Sequence, residues 1–243
     1  MTAIEEIEKS VNRKRGSYME QDIIQEVLLE VFPFYLDLES NIQQGLHQAA
    51  SLHKYEAGKI LHAGKEDCAG LFLIKSGRIR AYIVTEEGKE ITLFRLLEQD
   101  VCIFSASCMM KNITFDIWVS AETEVEAVQI PSRVFEQYTK KNILLSQFSS
   151  ELISARMSDV MWVLEQMLFA SFDKRLANFL LEQSVLEESN TLHITHEQIA
   201  NHLGSAREVV SRMLKYFSKE GYVDLNRGTI EILDEKALGK LSD

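Results

Sequence analysis

Residues 195–217 of the chain read THEQIANHLGSAREVVSRMLKYF, a pattern typical of two short helices joined by a tight turn. Thr195 is a good N-cap for the first helix, because its hydroxyl can accept a hydrogen bond from a backbone N–H that the first turn leaves unpaired. The apolar face of that helix is formed by Ile199, Ala200 and Leu203. Gly204 tolerates the left-handed backbone that ends many helices, and Ser205 is expected to cap the second helix. The segment therefore predicts a helix-turn-helix.

The second helix of this pair is two-sided. Its apolar positions are Val209, Val210, Met213, Leu214 and Phe217, and its other face carries Arg207, Glu208, Ser211, Arg212 and Lys215. Arginine can donate two hydrogen bonds to guanine N7 and O6, and a carboxylate can accept from cytosine N4, so this face suits the major groove of DNA. Residues 205–219 hold four basic side chains and one acid, a local charge of +3 in a chain of formal charge −11. A charged helix face can also be merely solvated, but the turn and the hairpin that follows favour DNA recognition.

A β-hairpin is predicted directly after this second helix. Residues 221–233, GYVDLNRGTIEIL, alternate between apolar and polar side chains around Asn226-Arg227-Gly228, with glycine where the turn needs a positive φ. A hairpin in this position is a wing. Residues 170–243 are therefore predicted to form a winged helix-turn-helix domain, with His196 at the start of its first helix expected to touch phosphate or water.

Upstream of this domain, the spacing of the hydrophobic residues changes twice along the chain. Residues 1–45 are read as a helical extension and residues 46–131 as a β-domain, whose short runs punctuated by glycine indicate a barrel, sandwich or jelly roll. Glu86-Glu87-Gly88 is the expected tip of one hairpin. The overall class is α+β, with the β-domain assigned as a double-stranded β-helix of the jelly-roll type.

Residues 132–169 return to helix, and residues 143–169 contain neither proline nor glycine, so one helix of about 40 Å is expected. It carries two apolar stripes. One runs through Leu145, Phe148, Leu152, Ala155 and Trp162, and the other through Ile153, Met157, Val160, Leu164 and Met167. One stripe can pack on the chain's own β-domain, and the same helix of a second subunit is the simplest partner for the other. The alternative is that both stripes are buried within one chain.

Composition narrows the class of protein. The 243 residues are 46% apolar and 26% charged, with three cysteines that form no closely spaced disulfide framework, so a reducing cytoplasm is expected. The N-terminal basic cluster is not followed by an apolar core, so no signal peptide is predicted, and no apolar run reaches the ~18 residues of a membrane span. An acidic chain with one basic face favours selective over indiscriminate binding of DNA.

Residues 199–238, IANHLGSAREVVSRMLKYFSKEGYVDLNRGTIEILDEKAL, resemble along their length the DNA-binding segment of the CRP/FNR superfamily of bacterial transcription regulators. The resemblance covers roughly residues 46–243 and implies a β-roll sensor, a dimerising helix and a winged helix-turn-helix. The family's recognition positions fall on Arg207, Glu208, Ser211 and Arg212, to which Ser205, His196 and Lys215 are added as DNA contacts. It further implies a homodimer through residues 143–169, an inverted repeat with half-sites akin to TGTGA or TTGAT, and RNA polymerase as a partner.

The β-domain departs from two branches of that family. Cyclic-nucleotide binders place a Gly-Glu pair and an arginine where this chain reads EQDVCIFSASCMMKNITFDIWVSAE, with Asp116 near the expected arginine, so cAMP is not expected to bind. The oxygen-sensing branch uses clustered N-terminal cysteines, and residues 1–45 contain none, which excludes a Cys₄ iron–sulfur cluster built from one chain. The effector remains unidentified. Its pocket is expected to be lined by Cys102, Phe104, Ser105, Ser107, Cys108, Arg80, Arg95 and Arg156.

The cysteines leave an alternative open. Cys102 and Cys108 are six residues apart, about 20 Å on a strand or 9 Å on a helix, whereas a disulfide needs Cα atoms within about 7 Å. They can be small core residues, or a thiol or metal sensor formed with Cys68 or Asp100. A cupin-like metalloenzyme is a weaker alternative, because His47, His53 and His62 are scattered and no metal site or catalytic pair is predicted.

Overall fold

The computed structural model describes residues 19–64, 69–103, 105 and 116–242. The chain divides into two compact units, one comprising residues 1–81 and 94–157 and the other residues 82–93 and 158–243. The α+β class predicted from the sequence is confirmed, with a β-roll, a long helix and a C-terminal winged domain.

Two short helices open the first unit. Helix α1 occupies residues 19–31 and α2 spans Ser40–Ala49, with a single 3-10 turn at Tyr35–Asp37 between them. Helical structure was expected within residues 1–45, and α2 extends past that boundary to Ala49. The apolar faces of both helices are buried in one cluster with strand residues such as Leu71 and Val128, so the helical extension is part of the core of the β-domain.

The β-roll consists of two four-stranded sheets. Its strands are β1 Ser51–Tyr55, β2 Ile60–Ala63, β3 Leu71–Ser76, β4 Ile79–Val84, β5 Glu90–Leu96, β6 Val101–Cys102, β7 Trp118–Ala121 and β8 Val125–Ile130. One sheet has the order β1-β8-β3-β6 and the other β2-β7-β4-β5. The pairs β1–β8, β2–β7, β3–β6 and β3–β8 are antiparallel, as short strands with glycine turns predict. The hairpin tip expected at residues 86–88 joins β4 to β5, with Gly88 at a φ of +79°.

Helix α3 spans Ser132–Thr139 and α4 spans Ile143–Phe169, so the length predicted for the long helix is confirmed. The first stripe is buried near the start of α4, where Leu145, Phe148 and Leu152 pack against the β-domain core. Farther along, Ala155 and Trp162 are exposed. The second stripe is open to solvent at Ile153, Met157, Leu164 and Met167. Burial of both stripes within one chain, the alternative considered above, is therefore wrong.

The second unit is built around α5 (Phe172–Glu187), α6 (His196–Leu203) and α7 (Arg207–Lys219). A small sheet of order β10-β11-β9 lies beside them, formed by β9 Thr191–Leu192, β10 Val223–Asn226 and β11 Thr229–Ile232, and α8 Glu235–Ser242 follows. One apolar core joins these elements, with Leu176, Ile199, Leu214 and Ile230 all fully buried. The predicted wing is the β10–β11 hairpin, in which Gly228 has a φ of +83°.

One detail of the winged unit differs from the sequence prediction. Ser205 does not cap α7: the N-cap is Ala206, and no side chain bonds the first turn there. The reason is that the Ser205 N–H donates to the Ala200 carbonyl at 2.9 Å, which makes Ser205 part of the end of α6.

No helix in the described part of the chain is long and apolar enough to cross a lipid bilayer.

Candidate nucleic-acid interface

The start of α6 is fixed by a reciprocal pair of hydrogen bonds. The Gln198 N–H donates to Thr195 Oγ1 at 3.2 Å, and the Thr195 N–H donates to Gln198 Oε1 at 2.8 Å. This is a capping box, in which two otherwise unpaired donors of the helix end satisfy their bonding. The N-cap predicted at Thr195 is confirmed, and α6 begins at a defined residue with His196 as its first position.

The turn between α6 and α7 is fixed at Gly204, whose φ of +62° is left-handed. The Gly204 N–H donates to the Ala200 carbonyl, and Arg175 Nη1 donates to the Leu203 carbonyl at 3.1 Å. A β-carbon at position 204 would lie 2.5 Å from Cγ1 of Ile91. Glycine is therefore required here by its backbone conformation and by the close approach of a neighbour.

Helix α7 separates its apolar and polar faces as its sequence predicts. Val210, Leu214 and Phe217 are fully buried, whereas the predicted core positions Val209 and Met213 are only partly covered. The side chains exposed on the opposite face are Arg207, Glu208, Arg212 and Lys215. Helix α7 thus exposes two guanidinium groups, one ammonium group and one carboxylate to solvent, while its other side packs in the core.

Ser211 and His196 are brought together by the packing of α6 on α7. His196 Nδ1 lies 2.8 Å from Ser211 Oγ, and both side chains are half-buried. Desolvation by burial lowers the pKa of His196, and the nearby charges of Arg207 and Lys215 lower it further. The neutral imidazole is therefore favoured near pH 7, and the side chain of Ser211, a predicted recognition residue, is held by that of His196.

The wing adds a cation that sequence reasoning did not include among the DNA contacts. Arg227 lies in the two-residue turn between β10 and β11, next to Gly228, and is exposed. The Asn226 amide donates to Asp224 at 3.1 Å beside it. The position of Arg227 at the tip of a predicted wing was the signal that could have identified it.

The structure describes only some of the residues that were expected to line an effector pocket. Arg95 Nε lies 3.0 Å from Glu122 Oε2, and Arg78 Nε lies 2.6 Å from the same oxygen. Two guanidinium groups therefore share one half-buried carboxylate, an arrangement that the sequence did not predict. Arg156 of α4 stacks over the ring of Phe94, with its Cζ 5.0 Å from the ring centroid.

Three more of these residues are buried among strands. Arg80 lies on β4 and is 8% exposed, and Cys102 lies on β6, opposite Phe72 of β3. Ser105 is fully buried, and its hydroxyl is within hydrogen-bonding distance of the carbonyls of Gly70 and Cys102. Phe104, Ser107, Cys108 and Cys68 lie outside the described residues. Within the described ranges, no three His, Cys, Asp or Glu side chains are grouped to hold a metal ion.

Two segments of the chain match models of known protein families. Residues 174–241 match the Crp-like helix-turn-helix domain, and residues 52–142 match the cyclic nucleotide-binding domain. The solved structure of a CRP/FNR-family transcriptional regulator from Eubacterium rectale is 45% identical, covers 87% of this chain and 98% of that one, and superimposes with a TM-score of 0.86.

Curated relatives are more distant. The cAMP-activated global transcriptional regulator CRP of Pasteurella multocida is 24% identical over 188 residues, which are 74% of this chain and 89% of that protein. The transcriptional activator protein FnrA of Stutzerimonas stutzeri is 26% identical over 196 residues, 76% of this chain and 78% of that protein.

A β-roll followed by a winged helix-turn-helix with an exposed basic helix face defines the class, a DNA-binding transcription regulator. The chain belongs to the CRP/FNR family, as the resemblance of residues 199–238 implied. Members of this family are transcription regulators and not enzymes, which removes the cupin-like metalloenzyme from consideration.

Proposed function

We propose that the protein is a homodimeric regulator that reads an inverted-repeat operator with the exposed face of α7. The observation that carries this proposal is the simultaneous exposure of Arg207, Glu208 and Arg212 on a helix whose opposite face is buried in the core of the winged unit. Side chains held in this way can reach base edges in the major groove without rearrangement of the domain. The two α7 helices of a dimer then lie about one helical turn of DNA apart.

The exposed residues divide by chemistry into base contacts and phosphate contacts. Glu208 can accept from cytosine N4, and Arg212 can donate two bonds to guanine, which together suit the GA part shared by TGTGA-like and TTGAT-like half-sites. Arg207 biases the outer bases. Lys215, Ser205 and the wing residue Arg227 are assigned to phosphates, where they contribute affinity and fix the position of the domain on the duplex.

Dimerisation is assigned to the second stripe of α4. Met157, Leu164 and Met167 are each more than two-fifths exposed, and Ile153 nearly so. A helix with a continuous exposed apolar stripe is stabilised when the same stripe of another copy covers it, and a twofold pairing of this kind gives the symmetry that an inverted repeat requires.

The effector is proposed to be neither cAMP nor an iron–sulfur cluster. Asp116 stands near the position where cyclic-nucleotide binders have an arginine, and its carboxyl carbon would be 3.6 Å from a β-carbon at Gly64. A phosphate needs a cation and backbone donors, so a carboxylate in this region disfavours it. Although one relative is named as cAMP-activated, we expect no binding when cAMP is titrated calorimetrically into the full chain, and saturable binding would contradict this assignment.

The thiol alternative is less well supported. Cys102 is 1% exposed on a strand, which favours a packing role over a reactive one. Whatever the effector is, its binding in the β-roll shifts the population between DNA-competent and incompetent states. RNA polymerase is the further partner proposed, and the bacterial cytoplasm is the compartment proposed, because both the DNA and the polymerase are there.

Selection from a random duplex pool tests the proposal. The full chain should enrich an inverted repeat whose half-site centres lie about 10 base pairs apart. Enrichment of single, unpaired half-sites would contradict the dimer arrangement, and the absence of any enriched sequence would contradict base recognition by α7. In the second case the winged domain would have to dock on protein instead.

A further inference from the structure

The hydrogen bond between His196 and Ser211 lies in the middle of the surface assigned to DNA. Ser211 is one helical turn after Arg207 and directly before Arg212, so its hydroxyl stands between the two arginines on the polar face of α7. His196 reaches it from the first turn of α6 at 2.8 Å. The capping box at Thr195 fixes where that turn begins, and so holds the imidazole in place.

A serine hydroxyl that is free to rotate reads DNA poorly. It can donate to guanine or thymine oxygens, or accept from adenine or cytosine amino groups, and it therefore distinguishes the base pairs only weakly. A neighbouring group that engages either the donor or the acceptor role of the hydroxyl leaves only the other role for the base. His196 is such a neighbour: in the neutral tautomer with its proton on Nε2, Nδ1 can accept a hydrogen bond from the Ser211 hydroxyl 2.8 Å away.

Burial, together with the charges around His196, lowers its pKa and keeps it in the neutral form that this role requires. Arg207 and Lys215 of α7 are the cations that act on it, and partial burial disfavours a third positive charge between them. With the hydroxyl proton directed at the imidazole, only the lone pairs of Ser211 Oγ remain for DNA.

We propose that His196 is a positioning residue that holds Ser211 as a hydrogen-bond acceptor, so that α7 selects an amino-bearing base, adenine or cytosine, at the position facing Ser211. This inference rests on the proposed function, since it requires α7 to lie in the major groove. It assigns to His196 control over base preference through Ser211, in place of the contact to phosphate or water that the sequence suggested.

The experiment measures base preference at every position of the operator that the full chain selects. Each half-site position is changed to the other three bases, and relative affinities are determined for the wild type, His196→Phe, His196→Asn and Ser211→Ala. Phenylalanine keeps the ring but has no nitrogen, whereas the Asn oxygen can accept at about the place of Nδ1. His193→Phe is the matched control, because His193 is 74% exposed and lies 3.9 Å from Glu187, away from Ser211.

We expect the wild type to prefer adenine or cytosine at one position by about five- to tenfold, the contribution of one directed hydrogen bond. His196→Phe and Ser211→Ala should each reduce that preference to about twofold or less, and a double variant that carries both substitutions should lose no more than either alone. His196→Asn should restore most of it, and His193→Phe should leave it unchanged. Thermal unfolding of each variant shows whether its fold is retained.

Two outcomes overturn the inference. One is that Ser211→Ala keeps the base preference of the wild type at every operator position. This variant is a small change at a half-buried site and leaves the fold intact. The other is a His196→Phe variant that binds all sequences more weakly by the same factor, which would make His196 a phosphate contact or a packing residue. Failure of the proposed function is distinguishable from both, because the wild type would then select no inverted repeat at all.

Discussion

His196 is the residue in the DNA-facing region whose protonation is most clearly shifted. Burial is the main cause, and Arg207 and Lys215 add to it, so the folded domain disfavours the imidazolium that the unfolded chain forms readily. Between the folded pKa and the ordinary value of about 6.5, the unfolded state binds more protons than the folded state. The contribution of His196 to stability is therefore complete above about pH 6.5 and is lost as the pH falls through the lower, folded pKa.

The first prediction follows from the lowered pKa of His196 in the folded state. The free energy of unfolding of the wild type should fall relative to that of His196→Asn as the pH is lowered from 7.5 to 5.5, because asparagine cannot take up a proton. Urea unfolding of the full chain, followed by circular dichroism at several pH values, measures the difference. A difference between the two proteins that is independent of pH would show that His196 titrates equally in both states.

Single residues also show what the sequence could and could not predict here. Exposure of Arg207 and Arg212 followed from helical spacing alone, because Val210 and Leu214 define the opposite face. The bond from His196 to Ser211 could not be predicted, since it depends on the angle at which α6 crosses α7. The cap predicted at Ser205 was wrong for a related reason: the closing hydrogen bonds of α6 extend one residue beyond Gly204.

Among the structural elements, the turn between α6 and α7 depends most on one side chain. Gly204 combines a left-handed backbone with a neighbour, Ile91, that a β-carbon would meet at 2.5 Å. The wing glycine Gly228 has a similar φ of +83° but open space around it. Substitution at these two glycines therefore separates the free-energy cost of the backbone conformation from that of overpacking.

The second prediction compares their alanine variants. Gly228→Ala should destabilise the protein by about 1–2 kcal/mol, the cost of an L-residue in left-handed backbone. Gly204→Ala should cost roughly 1–3 kcal/mol more, because Ile91 or the turn must move to make room. Urea unfolding of both variants measures this difference. Equal destabilisation would mean that the contact with Ile91 yields without cost.

The long helix is an element whose bounds the sequence predicted correctly. Ile143 to Phe169 contains no helix breaker, and the observed bounds are the predicted ones. Its first stripe was only partly right, because Trp162 is exposed although its spacing placed it with Leu145. Periodicity identifies a stripe along a helix, but it does not tell where along that stripe the neighbouring strands end.

The whole molecule is expected to function as a pair of chains. The third prediction is that Met157→Glu weakens the dimer by about 100-fold or more, since two buried methionines, each contributing about 1.5–3 kcal/mol, are replaced by two facing carboxylates. Sedimentation equilibrium measures the dissociation constant. Met19→Glu is the matched control, because Met19 is 65% exposed on α1, compared with 57% for Met157 on α4.

The control should remain as dimeric as the wild type. If Met157→Glu also remains fully dimeric, the second stripe of α4 is not the interface, and the arrangement of two α7 helices on an inverted repeat loses its support.

Contacts between distant parts of the chain were beyond the reach of the sequence. Within the second unit, Thr92 Oγ1 lies 2.8 Å from His202 Nδ1 although the two residues are 110 positions apart, and Ile91 forms a β-bridge with Leu203. The local sequence patterns of the β4–β5 hairpin and of α6 do not predict this pairing. Helix and strand periods predicted the elements, but the partners of each element are fixed only by the folded chain.

The central claim is that Arg212 reads a base whereas Lys215 holds a phosphate, and the ratio of affinities for the selected operator and a scrambled duplex tests it. At constant salt, Arg212→Ala should lower this ratio by at least about fivefold, because a bidentate arginine contributes roughly 1–3 kcal/mol of discrimination. Lys215→Ala should weaken binding to both duplexes by the same factor and leave the ratio unchanged. An Arg212→Ala protein that keeps the wild-type ratio would contradict base recognition by this face of α7.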